Sequence, residues 1–449
     1  MADFVETNVT SSFSNMKTEF ERMFNQLNKK LSAVPIYASW IKFQVGNFAL
    51  DTSDPNQQYF VSLNYTKNGS GKANSFTIMI AYEPRMSGNM INSQDINLID
   101  KELNIYDGTT KEKLKCWLQY GYGHSPDNLI SPLLEGMVTD YTPELRDGIL
   151  YYTITGYSSL IQSVEDNVTI DEMKNTRPTN AVKKAIEDNI GVNAGDNNLG
   201  YVVQFAPGTE NSDKELESIP GVSSKNLFEY IDQTLNMAEV EGQDEEEKTN
   251  RPFYIYDLSE TKDNKIITIE KIDPQNPGDD KISNVVFEWT SKSNNFVKSW
   301  QPNVKGSVLL AQNYQYDKNE SQWGIDDSGE TVEVKNILKP PVSMNKQASP
   351  KSSTSTDYAD SEATGIDQVT DLTTWSKAIQ YSYEANLIIQ GMPCDIPIGM
   401  YIKVTPLIYG QPHHTAGTYM VKSSSDTIDS GGFQTSIDLI KVDLSNKEG

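Results

Sequence analysis

The residues of this chain best suited to nucleophilic catalysis or metal binding are three histidines and two cysteines. A serine or cysteine nucleophile needs a base, usually histidine, within hydrogen-bonding reach. His124 lies in a glycine-rich loop, while His413 and His414 are adjacent in a segment typical of a hairpin tip. Adjacent side chains of an extended segment point to opposite sides, so these two are not expected to chelate one metal ion. Cys116 and Cys394 lie far apart in strand-like surroundings, and we expect both to be small buried hydrophobic residues.

Motifs that bind nucleotides or metals are absent from the sequence. It contains no Gly-x-x-x-x-Gly-Lys-Ser/Thr loop, no Gly-x-Gly-x-x-Gly opening a helix, no His-Glu-x-x-His and no calcium-binding loop of the EF-hand type. Asp273 and residues 278–280 come nearest to a carboxylate cluster, and we interpret them as acidic surface loops. We therefore predict no catalytic residue, no metal and no cofactor. A glycosidase needs only two carboxylates, so a cell-wall hydrolase stays open as an alternative.

The chain is acidic, with 38 Lys and Arg against 62 Asp and Glu and a formal net charge of −24. This charge disfavours nucleic acid and anionic membranes as tightly held partners, because like charges repel. The 449 residues suffice for about three domains. The first residues lack the pattern of a cleaved secretory signal, and no apolar run approaches the ~20 residues that span a bilayer. We expect synthesis in the cytoplasm and no stable membrane insertion.

Residues 1–35 are predicted to form an N-terminal amphipathic helix, which Pro35 ends. Apolar residues recur there at steps of three and four: Phe13, Met16, Phe20, Met23, Leu27, Leu31 and Val34. We interpret the helix as lying on the protein's own surface, with a trimeric coiled coil as the alternative.

Residues 36–165 are predicted to form a first β-domain with antiparallel strand pairs. The dipeptide at 107–108 is of the hairpin type, and a second turn contains Pro143 and residues 147–148. We predict strands where apolar and polar residues alternate or where a segment borders one of these turns. The predicted strands are residues 41–45, 76–82, 103–105, 114–118, 133–141 and 149–155.

Residues 166–299 are predicted to be an α+β middle domain. A short helix follows Pro178 and stops at Gly191, and a second helix starts near Ser223. The acidic run at 242–247 is interpreted as a solvated loop. Strand patterns then return in three segments: residues 253–256, 266–269 and 285–289.

Residues 300–449 are predicted to be a second β-domain with a flexible insertion at about 340–370, where Pro, Ser and Thr replace large apolar residues. Alternation is clearest in residues 381–389 and 433–439, and a bulge is predicted near Ile440. The predicted fold class is mainly β with an α+β middle domain.

Several short phrases and the order of the elements carry a likeness to a known family. The phrases are residues 294–302 with 306–311, 385–393 with 398–404, 417–422 with 431–439, and, in the first β-domain, 134–140 with 148–157. They resemble the baseplate hub proteins of phage tails and related contractile injection systems, the tail-tube-like hub family. As strands and turns, the C-terminal phrases predict an antiparallel meander. The N-terminal helix and the Ser/Thr-rich insertion have no counterpart in this resemblance.

The resemblance implies a structural protein and not an enzyme. Each chain would contribute two tail-tube-like barrels to a homotrimeric, pseudo-sixfold ring that adapts one symmetry to another. The ring would join a hexameric tail tube, or a tube-initiator protein, to a trimeric central spike, and it would contact other baseplate proteins. DNA would pass through its channel without specific binding. The implied location is the tail baseplate of the virion.

The net charge of −24 adds a hypothesis about the channel. A wall that bears Asp and Glu repels phosphate, so part of the acidic excess is predicted to line the lumen. The alternative is acid spread over the outside for solubility. A receptor-binding or glycan-binding tail adhesin, with exposed Tyr and Trp residues contacting sugars, stays open as a second function beside the hydrolase.

Overall fold

A computed structural model describes residues 12–31, 39–53, 60–69, 73–82, 115–123, 129–158, 167–195, 198–240, 252–261, 264–273, 278–290, 296–304 and 383–441. Its α-helices are α1 (Phe13–Leu31), α2 (Pro178–Asn189) and α3 (Leu227–Asn236), and a 3₁₀ turn spans Asp279–Lys281. None of these helices is long and apolar enough to cross a membrane.

The strands fall into three groups along the chain. The first is β1 (Ser39–Val45), β2 (Phe48–Asp51), β3 (Phe60–Lys67), β4 (Ser75–Tyr82), β5 (Lys115–Tyr122), β6 (Leu134–Arg146) and β7 (Ile149–Ser158). The second is β8 (Asn167–Ile170), β9 (Met173–Thr176), β10 (Tyr201–Phe205), β11 (Leu216–Ile219), β12 (Val222–Asn226), β13 (Phe253–Glu260) and β14 (Lys265–Ile272). The third is β15 (Ile282–Thr290), β16 (Val297–Val304), β17 (Tyr383–Gln390), β18 (Tyr401–Ile408), β19 (Gln411–Pro412), β20 (Gly417–Asp429) and β21 (Gly432–Lys441).

The first and third groups form one large, curled and mostly antiparallel sheet of 14 strands. Its main path runs β16-β17-β21-β20-β3-β4-β7-β6-β5-β1-β2, and β18 pairs with β20, β15 and β19 beside this path. One face of the sheet covers a single apolar core that takes residues from both groups. The predicted fold class, mainly β with an α+β middle segment, is confirmed.

Helix α1 packs its apolar stripe against this large sheet. Phe20 is fully buried, and the ring of Phe24 meets the rings of Phe287 in β15 and Phe296 edge-on at 5.1 and 4.9 Å. Edge-to-face aromatic pairs of this kind add to the stabilisation from burial. The interpretation of a helix lying on the protein's own surface is therefore confirmed.

The middle segment forms its own small sheet and core. Strand β10 lies parallel to β14, which pairs antiparallel with β13, and α2 and α3 bury Ile186 and Ile231 in the same core as Tyr256. Helix α3 begins at Leu227 and not near Ser223, because β12 occupies the preceding residues and pairs with β8. The Asn226 side chain accepts the N–H of residue 228 at 2.7 Å and thereby caps the helix.

The predicted C-terminal meander is wrong in one connection. Strand β17 pairs with β21 and not with β18, so the order is β17-β21-β20-β18, which is a Greek key. Residues 391–400 do not form the tight turn that a meander needs. They cross the end of the core, where Met392 and Ile396 are buried and the Gly391 N–H donates to the Phe433 carbonyl at 3.0 Å.

Three local predictions also differ from the structure. The bulge predicted near Ile440 lies in the neighbouring strand β20, between Val421 and Ser423, and not in β21 itself. Cys394 lies outside a strand, in the crossing segment. Pro143 lies within β6, and residues 147–148 alone make the turn, since both have positive φ angles (52° and 80°) that suit a two-residue hairpin.

The limits of the four predicted domains stay predictions. Strand β15, which the sequence assigned to the middle segment, pairs in parallel with β18 of the large sheet. Several predicted features lie outside the described residues: the helix end at Pro35, the strand 103–105, the dipeptide 107–108, the acidic run 242–247, the phrase 306–311 and the insertion at about 340–370.

Candidate functional site: a repeated sheet module and its polar face

The large sheet contains two modules with the same order of paired strands. In the N-terminal module (residues 39–158) the order is β3-β4-β7-β6-β5-β1. In the C-terminal module (residues 282–441) it is β16-β17-β21-β20-β18-β15. The first four pairings are antiparallel in both modules, while the last is antiparallel for β1 with β5 and parallel for β15 with β18.

The likeness of the modules extends to strand lengths and bulges. Strands β3 and β16 have 8 residues each, β4 and β17 have 8, β7 and β21 have 10, and β6 and β20 have 13. One bulge follows Phe60 in β3 and Val297 in β16, and another follows Val138 in β6 and Val421 in β20. Each bulge falls at the same place in its strand, so the chain uses one structural unit twice.

The two modules are joined edge to edge by β3 and β20. Five residue pairs run antiparallel from Leu63 with Ile428 to Lys67 with Ser424. Leu63 and Ile428 are 0% and 1% exposed and belong to the same core. Sheet and core therefore both continue from one module into the other.

The face of this sheet opposite the core is lined with hydroxyl and amide groups. Along β21, for example, Phe433, Ile437 and Leu439 are buried while Gln434 and Ser436 are half-buried. We call the side chains of this face in the eight central strands the polar face: Ser299, Gln301, Asn303, Glu384, Asn386, Ile388, Gln434, Ser436, Asp438, Ser423, Ser425, Thr427, Ser62, Asn64, Thr66, Thr77, Met79, Tyr151, Thr153, Thr155, Asp140, Thr142, Glu144 and Arg146.

Hydrogen bonds between side chains link neighbouring strands on the polar face. The Asn386 amide donates to the Ser436 hydroxyl at 2.7 Å. At the junction of the modules, the hydroxyls of Thr66 and Ser425 lie 3.3 Å apart, and that of Ser425 donates to Asn64 at 3.2 Å. The polar network thus crosses the boundary between the two modules.

Most charged members of the polar face are carboxylates: Asp140, Glu144, Glu384 and Asp438. Its one cation is Arg146, whose guanidinium is paired with the Glu144 carboxylate at 2.5 Å. Glu384 is paired at 2.7 Å with Lys422, which sits at the bulge of β20. Hydroxyl and amide groups therefore characterise this face more than acid does.

A buried ion cluster lies near the junction. Lys67 is 2% exposed, and its Nζ lies 2.6 Å from the Asp395 carboxylate and 3.1 Å from that of Asp257. Burial raises the pKa of Asp257 to about 6, against the opposing effect of the Lys67 charge. The three residues come from β3, the crossing segment 391–400 and β13, so the cluster ties both modules to the middle segment.

A second buried carboxylate, Asp426, lies in β20 at the junction itself. It accepts the hydroxyl protons of Tyr120 at 2.6 Å and Thr435 at 2.5 Å. Burial raises its pKa to about 7, while these two hydrogen bonds oppose that rise. The junction therefore holds a carboxyl group whose pKa lies well above its ordinary value.

The residues singled out for chemistry do not form a reactive site. The rings of His413 and His414 lie 3.9 Å apart, so the expectation that they point to opposite sides is wrong. The segment turns there, with the Ala416 N–H donating to the His413 carbonyl at 2.7 Å. His124 lies outside the described residues, and among the described ones no three His, Cys, Asp or Glu side chains are placed to hold a metal ion.

The remaining candidates have the structural roles that we expected. Cys116 and Cys394 are buried free thiols, and burial raises the pKa of both. Residues 278–280 are exposed at the 3₁₀ turn, where the Asp280 carbonyl accepts the Lys17 ammonium of α1 at 2.9 Å. These acidic residues thus form a surface loop that receives the N-terminal helix.

No protein-family model matches the sequence, and no curated protein matches it. Among solved structures, the 43 kDa tail protein of prophage MuSo2 from Shewanella oneidensis is similar, with a TM-score of 0.52 and 12% identity over 90% of this chain and 98% of that one. The tail protein from Neisseria meningitidis MC58 has a TM-score of 0.48 and 11% identity over 90% of this chain and 97% of that one. The first likeness defines the fold, and at 12% identity it defines the fold alone. The chain has the fold of a phage tail protein, and the resemblance to hub proteins is confirmed at that level.

Proposed function

We propose that this chain is a structural subunit of a phage-type tail baseplate. It acts as a hub: three copies form a pseudo-sixfold ring that joins a hexameric tail tube to a trimeric central spike. The observation that carries this proposal is the repeated module. A chain with two copies of one sheet unit, joined edge to edge, can present six similar units with only three subunits.

The polar face is the wall that this ring would turn towards its channel. Its hydroxyl and amide groups are neutral, its four carboxylates repel phosphate, and its one cation, Arg146, is already paired with Glu144. A protein that makes no Lys or Arg contacts with phosphate releases no counterions and so gains little affinity for DNA. DNA would therefore pass along this wall without being held. In this proposal the partners are the spike, the tube or its initiator, and other baseplate proteins, and the location is the virion tail.

Electron microscopy of the purified chain tests the proposal. We expect end-on views of a ring with six similar densities around a central hole, from particles with three copies of the chain. Particles without a central hole, or rings with any other number of densities, would refute the hub.

A further inference from the structure

The buried ion cluster near the junction contains the groups that an amide bond between two side chains requires. Lys67 supplies a nitrogen and Asp395 a carboxyl carbon, and the Lys67 Nζ atom lies 2.6 Å from the Asp395 Oδ1 atom. A nitrogen in contact with a carboxylate oxygen is near the separation of about 3–3.5 Å from its carbon at which bond formation begins. Lys67 ends β3 of the N-terminal module, whereas Asp395 lies in the crossing segment 391–400.

We propose that the Lys67 amine and the Asp395 side-chain carboxyl group condense to an intramolecular isopeptide bond, with release of one water molecule. An ammonium and a carboxylate give an amide and water without an oxidant or a reductant. The chain folds with the ion pair, and the bond then replaces this ion pair in a slower step. The inference concerns chemistry within one chain and does not depend on the proposed ring.

Asp257 is placed to move the protons of this reaction. Its Oδ2 atom lies 3.1 Å from the Lys67 Nζ atom, and the Ile398 N–H donates to the same oxygen at 3.1 Å and fixes its position. The Oδ1 atom of Asp257 is buried and has no hydrogen-bond partner. Burial raises the pKa of Asp257 to about 6, which suits a group that accepts a proton and returns it near neutral pH.

Exclusion of water makes a neutral amine accessible to Lys67. The side chains of Lys67 and Asp257 are 2% and 1% exposed. Burial is the largest influence on the pKa of Lys67 and lowers it, but the two carboxylates together raise this pKa above its ordinary value, so the ammonium is the resting form. Transfer of one proton to Asp257 removes both charges of a buried pair, and a dry interior disfavours charged forms. The reactive amine is therefore formed by Asp257.

Ser259 is placed to stabilise the charge that develops during the reaction. Its hydroxyl donates to the Asp395 Oδ2 atom at 2.5 Å. Ser259 is 1% exposed and follows Asp257 by two residues in β13, so both side chains lie on the same face of this strand. A fixed donor aimed at the oxygen that becomes negative stabilises a tetrahedral intermediate.

The protons and bonds balance with these four groups. The Lys67 ammonium gives one proton to Asp257, which passes it to the Asp395 Oδ1 atom. The amine attacks the carboxyl carbon, the C–N bond forms, and the Oδ2 atom held by Ser259 takes the negative charge. The nitrogen then gives a second proton to Asp257, which passes it to the Oδ1 hydroxyl. The C–Oδ1 bond breaks, water leaves, and Asp257 is again a carboxylate.

Mass spectrometry of the intact, full-length chain tests the bond directly. After several days at neutral pH we expect most molecules to be lighter than the sequence by one water molecule. A proteolytic digest should then contain a branched peptide that joins Lys67 to Asp395. An unchanged mass would show that the cluster is an ion pair only and would overturn the proposal. Loss of water without this branched peptide would overturn it as well.

Two variants test the part assigned to Asp257. Asp257→Asn keeps the volume of the side chain and should retain the full mass of its sequence. The matched control is Glu260→Gln, because Glu260 is a 4% exposed carboxylate of the same strand that accepts hydrogen bonds from Asn74 and Tyr201. We expect this control to lose water as wild type does, with both variants folded by circular dichroism. Equal loss of water in Asp257→Asn and wild type would contradict the proton transfer. The wild-type mass tests the bond itself even where a substitution impairs folding.

Discussion

Replacement of Lys67 by methionine removes the cation of the buried cluster and keeps most of its volume. Lys67 and Asp257 are 2% and 1% exposed, so water cannot replace the lost charge. Removing one partner of a buried ion pair costs about 3–5 kcal/mol. We expect the upper part of this range at pH 8, because Asp257 has one carboxylate oxygen without a hydrogen-bond partner and Asp395 loses its contact with the same cation.

The loss should depend on pH with a definite sign. Burial already raises the pKa of Asp257 to about 6, above its unfolded value, and removal of Lys67 raises it further. A carboxyl group with a raised folded-state pKa stabilises the fold while it is protonated, and this contribution is lost as the pH rises through that pKa. Lys67→Met should therefore cost less at pH 5 than at pH 8.

Urea unfolding followed by circular dichroism at the two pH values measures both effects. The matched control is Lys115→Met, since Lys115 is 43% exposed and pairs with Glu135 at 3.2 Å. Glu135 is 8% exposed but keeps a second cation, Lys265, at 3.0 Å, so no buried charge is left unpaired and the loss should be less than ~1 kcal/mol. Equal losses of stability in the two variants, or a loss for Lys67→Met that is the same at pH 5 and pH 8, would refute the reasoning.

Three further changes test the packing of the sheet. Burial raises the pKa of Asp426 to about 7, so the wild-type protein loses stability as the pH rises through that value. The variant Asp426→Asn should therefore have a higher melting temperature than wild type at pH 8 and a similar one at pH 5. A variant whose melting temperature depends on pH as that of wild type does would contradict this. Gly391→Ala places a Cβ 2.1 Å from the Phe433 ring and should cost about 1–3 kcal/mol in urea unfolding, whereas an unchanged midpoint would show that the ring moves freely. Phe24→Ala removes an edge-on contact with Phe287 and should lower the free energy of unfolding by about 3–5 kcal/mol and speed proteolysis of α1. If α1 of the variant resists protease as well as α1 of wild type, this contact does not hold the helix on the sheet.

Local pattern predicted the strands and α1 well, but it could not predict their partners. The alternation in β17 and β21 shows that both are strands, and only the buried crossing segment with Met392 and Ile396 decides that they pair with each other. Alternation is the same for every antiparallel neighbour, so a meander and a Greek key share one local pattern. The predicted start of α3 was too early because Ser223 and Ser224 are residues that commonly cap the N-terminus of a helix. In the structure Asn226 is the N-cap.

The repeated module was expected from a family likeness and not from the residues themselves. Met137-Val138 and Met420-Val421 occupy the same place before the bulge, but little else in the two strands is shared. The ion cluster did leave a signal, because Lys67 occupies the inward phase of β3 after Leu63. A lysine at an inward position needs a buried partner, yet Asp257 is 190 residues away, and no local pattern identifies it.

Light scattering behind size exclusion, at two protein concentrations, tests the hub account most directly. The account predicts three times the chain mass of 50.3 kDa at both concentrations. A mass of one chain at both concentrations would contradict it and would favour the glycan-binding alternative.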